Sequence, residues 1–345
     1  MLKKILLSFL FLFLLGTVLT GIWGYRLVYQ PNISLTNSGS DYLYIATGST
    51  FDDVLQNLAV KYFILNTETF RRLSELKGYS TKVKPGRYRI RDRMSNNQLI
   101  NLLRAGLQEP VQISFNNIRS KGQLASRIGR KLEADSTQLL SLLNSAEFAG
   151  KYGFNSENIL TLFVPNTYEI YWNTSSGEFI ERMAKEYKNF WTAKRKLLAR
   201  EIPLTQTEVS VLASIVQAEQ NRFDDEKPVI AGLYLNRLKS GMPLQSDPTL
   251  IYSIGDFSIT RVLNSDKNID SPYNTYRHSG LPPGPICLPE ISSIDAVLNY
   301  QKSNYLYMCA MEDFSGRHHF SETIQQHAIY AKRYREALDK HNIKR

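Results

Sequence analysis

Thr207-Glu-Val-Ser-Val-Leu-Ala-Ser-Ile-Val-Gln-Ala-Glu219 has the periodicity of an amphipathic helix with one residue out of character. As a helix it sets Leu212, Ile215, Val216 and Glu219 at i, i+3, i+4 and i+7, along one face. A carboxyl therefore stands where another apolar side chain belongs. Burial disfavours its charged form, and the negative end of the helix dipole acts in the same direction. Both raise the pKa of Glu219, which is what a general acid working near neutral pH requires. The alternative is a glutamate that turns to solvent or pairs with Arg222 or Arg237.

The rest of the chain gives this helix ample surroundings. A length of 345 residues accommodates two or three domains and a sizeable core, so no metal or disulfide framework is needed for stability. Lys3 and Lys4 precede an uncharged run from Ile5 to Trp23, which as a helix spans roughly 28 Å at about 1.5 Å per residue. The two lysines place the N-terminus in the cytoplasm and send everything after Arg26 across the membrane. A cleaved signal peptide is the competing reading, but Gly16 to Tyr25 offers no A-x-A-like cleavage site. The expectation is a single-pass anchor in the cytoplasmic (inner) membrane, with the remaining chain periplasmic or extracytoplasmic.

The net charge of +10 and pI near 9.4 suit an anionic envelope polymer or lipid surface. The basic residues are scattered and have no aromatic platform beside them, which argues against nucleic acid. A basic solvated surface with no partner is the plainer reading. Cys287 and Cys309 are the only thiols, and their spacing does not establish a pair.

The expected fold class is α+β: a transmembrane helix over 5–24 behind a cytoplasmic segment 1–4, a tether over 25–41, a small subdomain over 42–107, and a mixed α/β domain over 108–345. Residues 27–41, rich in Asn, Ser and Gly, have little periodicity and read as the tether. Tyr42–Ala46 reads as a strand, followed by a helix from Phe51 capped by Ser49 or Thr50. A second helix covers Thr67–Leu76, Lys84–Ile90 turns into a strand, and Ser95 caps a helix over Asn96–Arg104. That strand, two helices, strand order resembles a LysM-like module, a fold that in many envelope proteins recognises glycan chains; a plain α+β spacer fits as well. Pro110–Phe115 reads as a strand, Gly122–Gly150 as helical, and Leu162–Trp172 as extended. One long helix is expected from Glu178 to about Arg200, and a closing helix after Thr323.

Beyond residue 210 the motifs become specific. Ala213-Ser-Ile-Val-Gln-Ala-Glu219 is followed by Glu226-Lys-Pro-Val-Ile-Ala-Gly232, Leu235-Asn-Arg-Leu238 and Gly241-Met-Pro-Leu-Gln-Ser-Asp-Pro-Thr249. Then come Ser271-Pro-Tyr-Asn-Thr-Tyr276, Gly280-Leu-Pro-Pro-Gly-Pro-Ile286, Tyr305-Leu-Tyr307 and His318-His-Phe320. In this order and spacing the set resembles the MltG (YceG-like) family of membrane-anchored endolytic murein transglycosylases. The resemblance covers roughly 160–335 by motif, and the anchor and LysM-like region by layout only. It departs at Asn166, where the family often has Asp, and at Arg317-His318, which replaces a Gly-His pair.

The resemblance implies cleavage between N-acetylmuramic acid and N-acetylglucosamine without water as nucleophile. The muramic 6-hydroxyl closes on its own anomeric carbon and leaves a 1,6-anhydro end. One carboxyl then serves twice, as acid toward the leaving oxygen and as base toward the attacking hydroxyl. Glu219 matches the family's catalytic glutamate. A hydrolase typically needs two carboxyls about 5 to 9 Å apart, and Asp247 is the candidate for the second.

The remaining site residues follow from their types and contexts. Asp247 before Pro248 has the signature of a helix N-cap. Gln245 and Asn236 suit hydrogen bonds to sugar hydroxyl or acetamido groups, while Arg237 equally suits an ion pair with Glu226. Tyr273, Asn274 and Tyr276 lie in a Pro- and Gly-rich loop where rings and amides can meet sugars, core packing of one tyrosine being the alternative. His318 matches the family motif and fits a role beside Glu219 or substrate. His318, His319 and His327 have no metal-motif spacing, so neither metal nor cofactor is expected. The implied partners are peptidoglycan glycan strands, the membrane and peptidoglycan synthases. A non-catalytic glycan-binding scaffold is the remaining alternative.

Overall fold

Ile5 to Trp23 lie within helix α1 (Leu2–Tyr29), which is long and apolar enough to cross a membrane, its most apolar 18-residue window having a mean hydropathy of 2.5. The computed structural model describes residues 2–35, 39–61, 63–116, 118–259 and 261–341. Met1 of the expected cytoplasmic segment and positions 36–38 of the expected tether lie outside them. Fourteen α-helices and three two-stranded sheets among the described residues make this a mixed α and β fold, as expected.

The chain divides into two compact units. The first comprises residues 1–113, 130–134 and 168–174, and the second 114–129, 135–167 and 175–345. The chain leaves the first unit after residue 113 and returns to it twice.

In the first unit, β1 (Ser40–Ile45), α2 (Phe51–Val60), α3 (Thr67–Leu76), β2 (Gly86–Arg91) and α4 (Asn96–Ala105) appear in the expected order. β1 and β2 are antiparallel, from Ser40 opposite Arg91 to Ile45 opposite Gly86. Their period of two turns Leu43, Ile45, Tyr88 and Ile90 into a core shared with Leu58, Phe70 and Leu99. Thr50, not Ser49, caps α2, in a capping box with Asp53. The segment expected as a tether is largely built in: α1 continues to Tyr29, and Leu27 and Ile33 are buried in the core. Buried Asn32 donates to Asn66 O at 2.8 Å and Asn96 Oδ1 at 2.6 Å, and accepts from Asn66 N at 2.8 Å. Composition suggested a loose linker, but the buried asparagine closes a polar network that holds the segment against the helices. β3 (Val111–Ser114) pairs with β4 (Thr167–Ile170).

The helical stretch 122–150 resolves into α5 (Lys121–Gly129), α6 (Ser136–Asn144) and α7 (Ala146–Gly150). The single helix expected over 178–200 is two, α8 (Ser176–Phe190) and α9 (Ala193–Glu201). No proline or glycine marks the break; Trp191 leaves the helix to bury its ring, and Thr192 caps α9 by accepting from Arg195 N at 3.3 Å.

Helix α10 (Gln206–Glu219) opens with a capping box between Thr205 and Glu208 and is the centre of the second unit. Every residue from Val209 to Gln217 is buried, so the expected amphipathic stripe is in fact a helix covered on all sides. Around it pack α11 (Lys227–Lys239), α12 (Asp247–Ile254) and α13 (Ile291–Leu298). A hairpin of β5 (Tyr307–Ala310) and β6 (His318–Ser321) then leads into the expected closing helix, α14 (Ile324–Lys340). Close approach to α11 depends on Gly232, where an added Cβ would lie 2.2 Å from Gln301 O. Gly232→Ala is expected to cost about 1–3 kcal/mol through forced backbone displacement, seen as a lower denaturant midpoint. An unchanged midpoint would mean that the 301 segment yields freely.

Candidate active site

Glu219 is the last residue of α10 because Gln220 turns to extended backbone, φ −138° and ψ 100°. Gln220 is buried and locks that exit. Its Oε1 accepts from Arg222 N and Phe223 N at 3.0 and 3.2 Å, and its Nε2 donates to Glu226 Oε2 at 2.8 Å and Gly316 O at 3.0 Å. The catalytic candidate is therefore held on a fixed backbone.

The two oxygens of Glu219 are not equivalent. Oε1 accepts from Tyr234 OH at 2.7 Å and Ser246 Oγ at 2.5 Å. No described residue donates to Oε2, and Glu219 lines a cleft of about 270 Å³. Loss of hydration raises the carboxyl above its ordinary value, and the nearby Asp247 charge adds to this; the Ser246 and Tyr234 hydrogen bonds and His318 oppose it. Burial dominates. With Oε1 occupied by two O–H donors, Oε2 is the oxygen left to carry the proton of the neutral carboxyl. Tyr234 remains a donor because burial and the adjacent Glu219 push its pKa upward.

Gln245, Asp247, Tyr276 and His318 line the same cleft, together with Arg237. Asp247 is not the N-cap of α12. Ser246 occupies that position, yet makes no side-chain cap because its hydroxyl is given to Glu219. Asp247 is freed to face the cleft, where Tyr276 OH donates to its Oδ1 at 2.6 Å. Gln245 has φ 54°, a left-handed conformation uncommon for a residue with a side chain. It is held there by its N–H to Thr275 O at 3.0 Å and by Arg237 Nη1 on its Oε1 at 3.3 Å. His318 is fixed by Glu226, which accepts from its backbone N at 3.1 Å and lies 3.0 Å from its Nδ1.

Three candidates are placed elsewhere. Asn236 spends its amide on Ser303 O and Tyr305 O, at 2.8 and 3.0 Å. Asn274 is wholly buried, donating to Lys267 O and Ile269 O and accepting from Tyr276 N, so it shapes the loop that delivers Tyr276. Tyr273 is buried against Tyr252 with its hydroxyl on Glu157 Oε2 at 3.2 Å, the core-packed tyrosine of that loop. The polar groups of Asn274 and Tyr273 are satisfied by nearby backbone or carboxylate, whereas Asn236 is half-buried and its Oδ1 takes no donor among the described residues.

Arg237 makes no ion pair with Glu226. Its guanidinium holds the carbonyls of Leu306, Pro243 and Leu244 at 2.6, 3.1 and 2.9 Å. Tyr234 and Ser246 were missed as site residues. The serine was legible as the residue before Asp-Pro, but nothing local signals that a hydroxyl will leave its own helix to reach Glu219. Cys287 and Cys309 are both free thiols. Among the described residues no three His, Cys, Asp or Glu side chains form a group able to hold a metal ion.

The sequence model of the YceG-like family matches residues 43–333. An endolytic murein transglycosylase of Bacillus subtilis (strain 168) is 28% identical over 84% of this chain and 83% of its own length. Another, from Streptococcus pneumoniae serotype 2 (strain D39 / NCTC 7466), is 27% identical over 94% of this chain; the chain spans 64% of that relative. A YceG-like protein of Listeria monocytogenes has a similar structure, with a TM-score of 0.57 at 25% identity, covering 85% of this chain and 99% of that one. With residues of several matching motifs lining one cleft and the family match running over most of its length, the chain belongs to the YceG-like family.

Proposed function

We propose that this protein is an endolytic peptidoglycan lytic transglycosylase that cleaves the MurNAc-GlcNAc bond of nascent strands and leaves 1,6-anhydro-MurNAc ends. The observation that carries the reading is the asymmetric carboxyl of Glu219 at the cleft wall, with Oε1 tied by two hydroxyls and Oε2 without a donor among the described residues. Oε2–H protonates the glycosidic oxygen as the bond to the anomeric carbon breaks. The resulting carboxylate then takes the proton of the muramic 6-hydroxyl as that oxygen closes on the anomeric carbon. One carboxyl begins and ends protonated, and no water is consumed. Asp247, held ready by Tyr276, supplies negative charge for the oxocarbenium-like centre.

In the same reading, α1 anchors the protein in the cytoplasmic membrane, with the N-terminus inside and the cleft outside. The first unit is a LysM-like glycan-binding module, and strand cutting terminates elongation beside the peptidoglycan synthases. The relatives' names, endolytic murein transglycosylase, support the activity.

Full-length protein in detergent, incubated with uncrosslinked glycan strands, tests the reading by mass spectrometry of the product ends. Internal cuts with anhydro ends, absent in Glu219→Gln, are expected. Reducing ends would transfer the case to hydrolysis with Asp247 as second carboxyl, and intact strands would favour a binding scaffold. Full-length chain is required because Leu27 and Ile33 belong to the core.

Ser246→Ala removes a hydrogen bond that lowers the Glu219 pKa. The carboxyl then holds its proton to higher pH, so the alkaline limb of the cleavage profile should move upward in pH while the rate falls about tenfold from lost orientation. A limb that stays in place would separate that limb from Glu219.

A further inference from the structure

A second cavity, of about 240 Å³, is lined by residues of the same two helices, α10 and α12. Glu219 and Asp247 line the first cleft, whereas their neighbours Ala218 and Pro248 line the second. Nothing in the acid-base chemistry uses it.

Its most telling wall is Gln217. This residue is 6% exposed, and its Oε1 accepts from Glu290 N at 2.5 Å and Ser293 Oγ at 3.3 Å. Those two donors fix which end of the amide faces inward. Nε2, with two N–H groups, has no acceptor among the described residues and keeps contact with solvent, and the residue lines the cavity. Water takes those N–H groups in the unliganded cavity, and a ligand carbonyl that enters can replace it.

The remaining walls suit a group that is apolar beside its acceptor. Ile251, Ile286 and Cys287 are the aliphatic and thiol surfaces. At the rim, Phe257 is 39% exposed and carries the Arg119 guanidinium 4.4 Å from its ring centre. Arg119 makes no ion pair among the described residues. An aromatic face stacks on a sugar ring, and an unpaired cation complements a carboxylate-bearing polymer.

We propose that this cavity is a second sugar subsite that takes the acetamido group of an N-acetylhexosamine adjoining the residue at Glu219. The acetamido carbonyl accepts from Gln217 Nε2, its methyl meets the aliphatic wall, and the sugar ring lies on Phe257. The inference rests on the strand-cutting reading for its ligand, and it makes N-acetylation a condition of productive binding.

The test compares uncrosslinked glycan strands with the same strands after chemical de-N-acetylation, using full-length protein in detergent. Binding is measured calorimetrically in the Glu219→Gln background and cleavage in the parent. De-N-acetylated strands are expected to bind about tenfold more weakly, since a site built to hydrogen-bond a group rejects the analogue lacking it. Gln217→Glu keeps the oxygen for Glu290 and Ser293 but replaces the donor, and should erase the preference for acetylated strands. Phe257→Ala, at an exposed ring, should weaken both strands about tenfold without disturbing the fold, and raise KM with kcat retained. Equal binding of both strands by the parent background, or an unchanged preference in folded Gln217→Glu together with unchanged binding in Phe257→Ala, would overturn the subsite. Acetyl-dependent binding with no cleavage by the parent would uphold the subsite while removing the transglycosylase reading.

Discussion

Glu219→Gln is expected to abolish most strand cleavage and, at neutral pH, to leave a protein more stable than the parent. The loss follows from removing the only proton that can pass through Oε2, and general acid-base catalysis of this kind contributes on the order of 10²–10⁴-fold. The gain follows from linkage. Burial raises the folded pKa of Glu219 above its unfolded value of about 4.5, so the native state holds this proton more tightly than the unfolded chain. The stabilising contribution of that proton is fully present below the unfolded pKa and is lost as pH rises through the folded one. Glutamine keeps an oxygen for Tyr234 and Ser246 and never ionises. The stability difference between variant and parent should therefore grow from about pH 4.5 upward, as read by thermal melting across pH. A variant that melts below the parent at pH 7 would mean that the carboxylate is stabilised in place, contrary to a general acid.

Glu226→Ala should be the most destabilising single change near the cleft. Its carboxylate is 6% exposed and accepts from Gln220 Nε2 at 2.8 Å and His318 N at 3.1 Å, with His318 Nδ1 at 3.0 Å and Arg317 Nη1 at 3.6 Å. Truncation takes the acceptor from one N–H of the Gln220 amide and from the His318 backbone N–H together, and loosens both the α10 exit and β6. Breaking a buried charge cluster costs about 3–5 kcal/mol; the lower end applies because Arg317 reaches solvent. Glu226→Gln keeps an acceptor and should lose less. A urea midpoint for Glu226→Ala close to that of the parent would show that the cluster does not hold the site. Activity in surviving protein reports on His318, whose ring loses its anchor.

Local rules account for much of what could be read directly. Thr67–Leu76 and the closing helix after Thr323 match α3 and α14 because a polar cap and an apolar period are both written within a few residues. Glu219 was conspicuous for the same reason: a carboxyl interrupts an apolar helix.

Where local rules failed, a distant contact decided. Trp191 breaks a helix that has no breaker residue because its ring has a buried place to go. Residues 25–35 look like a linker until Asn32 meets Asn66 and Asn96, partners 34 and 64 positions away. Tyr273 and Asn274 have the chemistry of sugar ligands, and tertiary neighbours consume it; at Asn236 they take only the amide N–H groups.

The sequence by itself determined that a helix ends in a lone carboxyl, that an apolar span precedes the folded part, and that the ordered motifs belong to one family. These depend on residue type and short spacing. Only the tertiary structure decided which oxygen of Glu219 is free, that Ser246 and Tyr234 hold the other, and that Gln217 turns an unused donor into a second cavity. Those depend on side chains that meet across elements, and a hydrogen bond is set by a few tenths of an ångström that no pattern along the chain records.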